Sequence, residues 1–184
     1  TATVFMTHIA DDAGFAVAVA ADVDLPDAVA RLGAAAHVAY ACPSEKPDRW
    51  AGASPATIER IHREGGFAAT YVKADGARMR WVKAPADDEP ALTACCTTVL
   101  PIVSALAIGQ PLTTEVAHRV ERIERVTGLR EHERITARHV GQLLAHADGA
   151  MEATAARRVV PVSNMVDDDG REALAREAAT VALD

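Results

Sequence analysis

Short apolar, β-branched runs alternate along this chain with stretches that carry helix caps and helical spacing. This alternation restricts the fold more than any other feature. Strand-like runs fall at residues 1–8, 15–20, 38–42, 68–74, 79–82, 97–105 and 158–163. Between them, a helix over residues 26–36 is predicted, with Pro26 at its start and Gly33 near its end. Ser54-Pro55 opens the next: Ser54 suits the N-cap, Pro55 the first helical position, and Gly65-Gly66 ends it. Thr113 or Thr114 caps a helix running through Val126, because Val116, Val120 and Ile123 have helical spacing. Thr136 starts another, with Val140, Leu143 and Leu144 on one face. Asp168 or Asp169 caps the last, with Leu174, Ala178 and Val181 inward. Strands alternating with helices predict a mainly parallel sheet covered on both faces, a three-layer α/β domain.

Composition narrows the function classes. The 184 residues are enough for one domain with a real core. No apolar run reaches the roughly 20 residues that span a bilayer, so a membrane role is not expected. The first residues lack the charged start and long apolar stretch of a signal peptide, which points to the cytoplasm. A net charge of −7 disfavours nucleic acid as a partner, because a phosphate backbone recruits clustered Lys and Arg. Lysine occurs only at 46, 73 and 83, while Asp and Ala are abundant. An acidic, Lys-poor surface fits a high-salt cytoplasm such as that of a halophilic archaeon. Cys42, Cys95 and Cys96 make a poor disulfide framework and are expected as reduced thiols.

The densest chemistry lies in Tyr71-Val72-Lys73-Ala74-Asp75-Gly76-Ala77-Arg78, followed by Lys83-Ala84-Pro85 and Glu89-Pro90. A strand that stops at an acidic residue delivers the carboxylate to the carboxyl edge of the sheet, where ligands bind in α/β proteins. Asp75 there, with Arg78 and Lys83 close by, suits Mg²⁺ and a phosphate-bearing ligand. The same residues also fit an Asp-Gly turn with solvated charges.

This series resembles the E-A-D-G-S-R, K-x-P, E-P signature of the YqeC-type family of selenium-dependent hydroxylase accessory proteins. Other pieces follow the family's order: Trp50 to Pro55, Gly109-Gln110-Pro111-Leu112, His118-Arg119, Thr127-Gly128-Leu129, Ile135-Thr136, His146 to Gly149 and Val162 to Asp167. The resemblance covers roughly Val38 to the C-terminus and, more loosely, the first forty residues. It implies a nucleotide-binding fold of the P-loop NTPase-like type. It also implies a role in maturation of, or cofactor delivery to, a molybdenum hydroxylase, whose machinery would be the partner. Mg²⁺ and a nucleoside triphosphate are the implied cofactors, with at most weak triphosphatase activity. The family's order places a strand, a Gly-rich loop ending G-K-T/S and a helix before Thr1. No such loop occurs in these residues. The expectation is a single α/β domain over residues 1–184, lacking that N-terminal strand, phosphate-binding loop and helix.

The resemblance and the residues together suggest roles. Asp75 is the metal-side carboxylate. The family has Glu where this chain has Lys73, which places a cation there that could touch phosphate or point into solvent. Arg78 and Lys83 are phosphate or partner contacts. Thr7 closes the first run, where a hydroxyl could meet Mg²⁺ or a γ-phosphate. Asn164-Met165-Val166-Asp167 resembles the N-K-x-D motif that reads guanine, with Met165 in place of Lys. The carboxylate of Asp167 would accept from the N1–H and N2–H edge of the base. The alternative is a turn whose Asp caps the last helix. A different class also stays open: a non-catalytic binding or scaffold protein with a degenerate nucleotide site.

Overall fold

In the computed structural model, residues 16–33, 35, 37–46, 49–154 and 157–184 are described. They form a mixed α/β structure with small, mostly parallel sheets. The chain divides into two compact units. The first takes the described residues up to Gly76 together with Ala91–Cys95, and the second takes Ala77–Pro90 and Cys96–Asp184.

In the first unit, β1 (Ala16–Val19) leads through α1 (Leu25–Ala30) to β2 (Val38–Pro43), which lies parallel to β1 from Ala16↔Val38 to Val19↔Ala41. The short β3 (Trp50–Ala51) pairs antiparallel with the end of β2. Helix α2 (Pro55–Glu64) starts where its sequence says it should: the Ser54 hydroxyl accepts the Thr57 N–H, and Pro55 follows. Leu25 and Ile61, at 0% and 2% exposure, anchor a small core with Ala18, Val29 and Cys42.

The second unit holds three parallel pairs. β4 (Val82–Lys83) pairs with β7 (Ala117–His118), β5 (Thr98–Val99) with β8 (Arg158–Val159), and β6 (Ile102–Ser104) with β9 (Val162–Asn164). The last two pairs belong to one ladder. Val160 N–H donates to Val99 O and Val162 N–H to Pro101 O, so hydrogen bonding continues between them. Pro101 and Pro161 interrupt the strands because proline has no N–H to give. A hydrogen bond from Ser104 N–H to Trp81 O ties this ladder to the β4 line.

Helices α3 (Val120–Thr127), α4 (Ala137–Ala145) and α5 (Asp169–Leu183) complete the unit. Thr136 and His139 form a reciprocal capping box on α4, which uses the His139 ring as a cap. Asp168 caps α5 by accepting the Arg171 N–H. The core gathers Val82, Val103, Leu112, Val120, Ile123, Ile135, Val140 and Leu143. Leu112 is fully buried, and truncating it to Ala should cost roughly 2–5 kcal/mol.

Three expectations need correction. Residues 68–74 are not a buried strand: they have no strand partner among the described residues, and Tyr71 and Val72 are 87% and 41% exposed. A β-type sequence that pairs with no strand leaves its backbone groups to water. The helix expected from Thr113 starts instead at Val120. Ala117–His118 is the strand β7, and Arg119, with φ 64°, cannot continue a right-handed helix back through it. The helix expected over residues 26–36 ends at Ala30. The expected strand over residues 1–8 lies outside the described residues.

Candidate functional site

Parallel strands β4 and β7 end side by side at Lys83 and His118. The loop after β4 returns Glu89 to that place, and the residue after β7 is Arg119, at the cap of α3. Lys83, Glu89, His118 and Arg119 therefore meet because two neighbouring strands stop in register.

Glu89 is the centre. Arg119 donates to both carboxylate oxygens at 2.9 Å, and Lys83 Nζ lies 2.6 Å from Oε2. The three side chains are only 14–20% exposed. Burial pushes the Glu89 carboxyl up, but hydrogen bonds from Arg119 and Lys83, and their charges, outweigh it and hold the group at about 2. Arg119 also donates to Ala84 O at 3.1 Å. Arg122 grips the same loop through Pro85 O and Asp87. Burial, then the charges of Arg119 and Arg78, hold His118 below the usual imidazole range.

Arg78, Lys83 and Arg119 bear on this place, and Glu89 is the carboxylate that answers Lys83 and Arg119 directly. Three residues nearby, Arg78, Met79 and Arg119, have φ between 51° and 64°. Non-glycine residues in that region are strained, and such strain gathers at functional sites. A partly buried lysine and arginine converging at the carboxyl ends of parallel strands are chemically suited to an oxoanion.

The residues singled out in the sequence fall unevenly. Lys83 sits in the centre and Arg78 close enough to act on His118. Lys73 is exposed and Asp75 half-buried, both in the first unit. Asn164 ends β9, paired with Ser104, and its side chain is exposed. Asp167 is exposed and meets Arg171 at 3.4 Å, while its neighbour Asp168 does the helix capping. Thr7 lies outside the described residues. In sequence Glu89 stands only as part of the Glu89-Pro90 piece of the charged series, with no role assigned to it. The signal that could have found it was the order K-x-P, E-P, H-R, whose charged members converge on one point.

The first unit has a second polar knot. Asp22 accepts from Ser54 N–H at 2.7 Å, Ser54 Oγ at 2.8 Å and Thr57 Oγ1 at 2.9 Å. Burial raises the Asp22 carboxyl, and these three bonds more than reverse it, leaving it lowered. Its chemistry is that of a tie between the end of β1 and the start of α2. No three His, Cys, Asp or Glu side chains gather to hold a metal ion among the described residues. The three cysteines are free thiols, with Cys42 buried and its thiol pushed up by burial and by Asp22. No helix is long and apolar enough to cross a membrane among the described residues.

Comparison with known proteins adds a family. The family described as YqeC protein matches residues 1–121. The uncharacterized protein YqeC of Escherichia coli (strain K12) is 26% identical over 103 residues, which cover 55% of this chain and 40% of that protein. The matched region thus spans less than half of that relative. No solved structure matches the chain. Lys83, Pro85, Glu89, His118 and Arg119, the residues that build the Glu89 centre and its loop, all fall inside the matched region, and the chain belongs to the YqeC family.

Proposed function

We propose that this protein binds the phosphate of a nucleotide at the Glu89 centre and serves as an accessory factor in maturation of a molybdenum hydroxylase. The observation that carries the anion reading is the convergence of Lys83 and Arg119 on the two oxygens of Glu89. Lys83 and Arg119 already point at two oxygens held about where a phosphate would present its own. Arg119 supplies the planar fork that phosphate recognition favours. Asn164 and Asp167, in the same unit, are the residues assigned to the base. The accessory role rests on family resemblance alone.

A nucleotide titrated calorimetrically into residues 1–184 tests this. Binding of GTP should be measurable but weaker than micromolar. The backbone N–H cradle of a Gly-rich loop, which supplies most phosphate affinity in such folds, is not among these residues. Lys83→Met should remove the heat. Heat that survives Lys83→Met would place the nucleotide elsewhere.

One observation favours the scaffold reading. Glu89 already satisfies Lys83 and Arg119, as a purely structural clamp on the 84–90 loop would. That reading predicts no nucleotide heat at any concentration.

A further inference from the structure

Among the described residues, one flank of β2 is paired only at its carboxyl end. Ala16 N–H donates to His37 O and Ala20 N–H to Ala41 O, so the odd-numbered positions of β2 turn their backbone groups toward β1. Alternation then turns those of Val38, Tyr40 and Cys42 the other way. On that side β3 meets only Cys42 and Pro43. Among the described residues, no strand covers Val38 and Tyr40. A groove of about 510 Å³ opens beside them, with Val38 and Tyr40 on one wall and residues 68–74 on another.

The chain path suits closure. Ser54, at the start of α2, is bonded to Asp22 just beyond the carboxyl end of β1. Ten residues of helix lead away from that end, and the Gly65-Gly66 turn follows, with Gly66 at φ 66°. The next segment starts at the far end of α2, where His62 Nδ1 and Thr70 Oγ1 lie 2.9 Å apart. Strand, helix, extended segment is the crossover order that feeds a parallel strand. Tyr71 and Val72, both favourable in strands, stand in water instead.

We propose that residues 68–74 are a strap that closes on Val38 and Tyr40 as a parallel edge strand. Closure fills the groove beside Val38 and Tyr40 and stops short of β3, which holds Cys42 and Pro43 on the same flank. The open arrangement described above and the closed one differ by a backbone ladder. This inference does not depend on the anion centre of the other unit.

Amide hydrogen exchange on the 184-residue protein, read residue by residue, tests it. In the closed state the Tyr40 amide is bonded, and alternate amides within residues 69–73 are protected. A Tyr71→Pro/Val72→Pro variant removes one bonded N–H whichever of the two faces β2. Tyr40 should then exchange at least about tenfold faster, while Ala16 and Ala20, bonded to β2 on its other side, stay unchanged. Fast exchange at Tyr40 in the unaltered protein overturns the proposal, as does slow exchange that the prolines leave unaltered. If the prolines also release Ala16 and Ala20, the pattern within residues 69–73 of the unaltered protein decides. Alternation supports the strap, and uniformly fast exchange overturns it.

Discussion

Arg119 holds Glu89 by two hydrogen bonds of 2.9 Å, one to each carboxylate oxygen, from a backbone conformation with φ 64°. The pair joins the cap of α3 to the loop after β4. The strain at Arg119 persists because both of its neighbours are fixed: β7 ends on one side and α3 begins on the other.

That pair makes stability depend on acid. Glu89 has a folded value of about 2 against 4.5 for an unperturbed Glu. A depressed carboxylate stabilises the fold above its unfolded value and loses that contribution as pH falls through its folded value. The window is therefore pH 4.5 down to 2. At pH 7 the contribution is up to about 3 kcal/mol. Urea unfolding of the protein and of Glu89→Gln should differ most above pH 5 and converge near pH 2. A difference that does not change with pH would detach the carboxylate from Arg119 and Lys83.

Met165 adopts φ 59° in the turn between β9 and α5 and is 47% exposed. Glycine relieves the clash of Cβ in that conformation, worth about 1 kcal/mol. Met165→Gly should therefore raise the urea midpoint. If Met165 also stacks on a base, the same substitution should weaken GTP binding. A stabilised variant with unaltered binding would make residues 164–167 a turn alone.

Gly141 lies where α4 crosses α5. A Cβ there would come within 2.6 Å of Ala178 O and of Val181 Cβ. Alanine is the better helix former by about 1 kcal/mol, but the obstacle includes backbone and cannot swing away. Overpacking of this kind costs typically 1–3 kcal/mol, so Gly141→Ala should lower the thermal midpoint. A rise would mean that the two helices separate easily.

Helix caps were the most legible part of the sequence. Ser54, Thr136 and Asp168 each cap the helix they announce, because capping is a local interaction within three residues. The pairing of β4 with β7 was hidden. Val116, Val120 and Ile123 have helical spacing, yet a left-handed Arg119 splits the series into strand and helix. Residues 68–74 show the opposite limit: composition marks a strand, but a strand exists only where an edge receives it. For the site, Lys83 and Arg78 were visible from their place in the motif. Glu89 was not, because the sequence cannot show that Arg119, thirty residues away, returns to meet it.

The central claim is that Glu89 occupies an oxoanion position between Lys83 and Arg119. Pyrophosphate binding to the unaltered protein and to Glu89→Gln, measured by calorimetry at pH 7, tests it most directly, with circular dichroism confirming that both are folded. Removing the competing charge should tighten binding at least about tenfold, equivalent to about 1.4 kcal/mol. Adding Lys83→Met should cancel the gain. Equal affinities, or no binding by either protein, would contradict the account and leave Glu89 as a clamp on its loop.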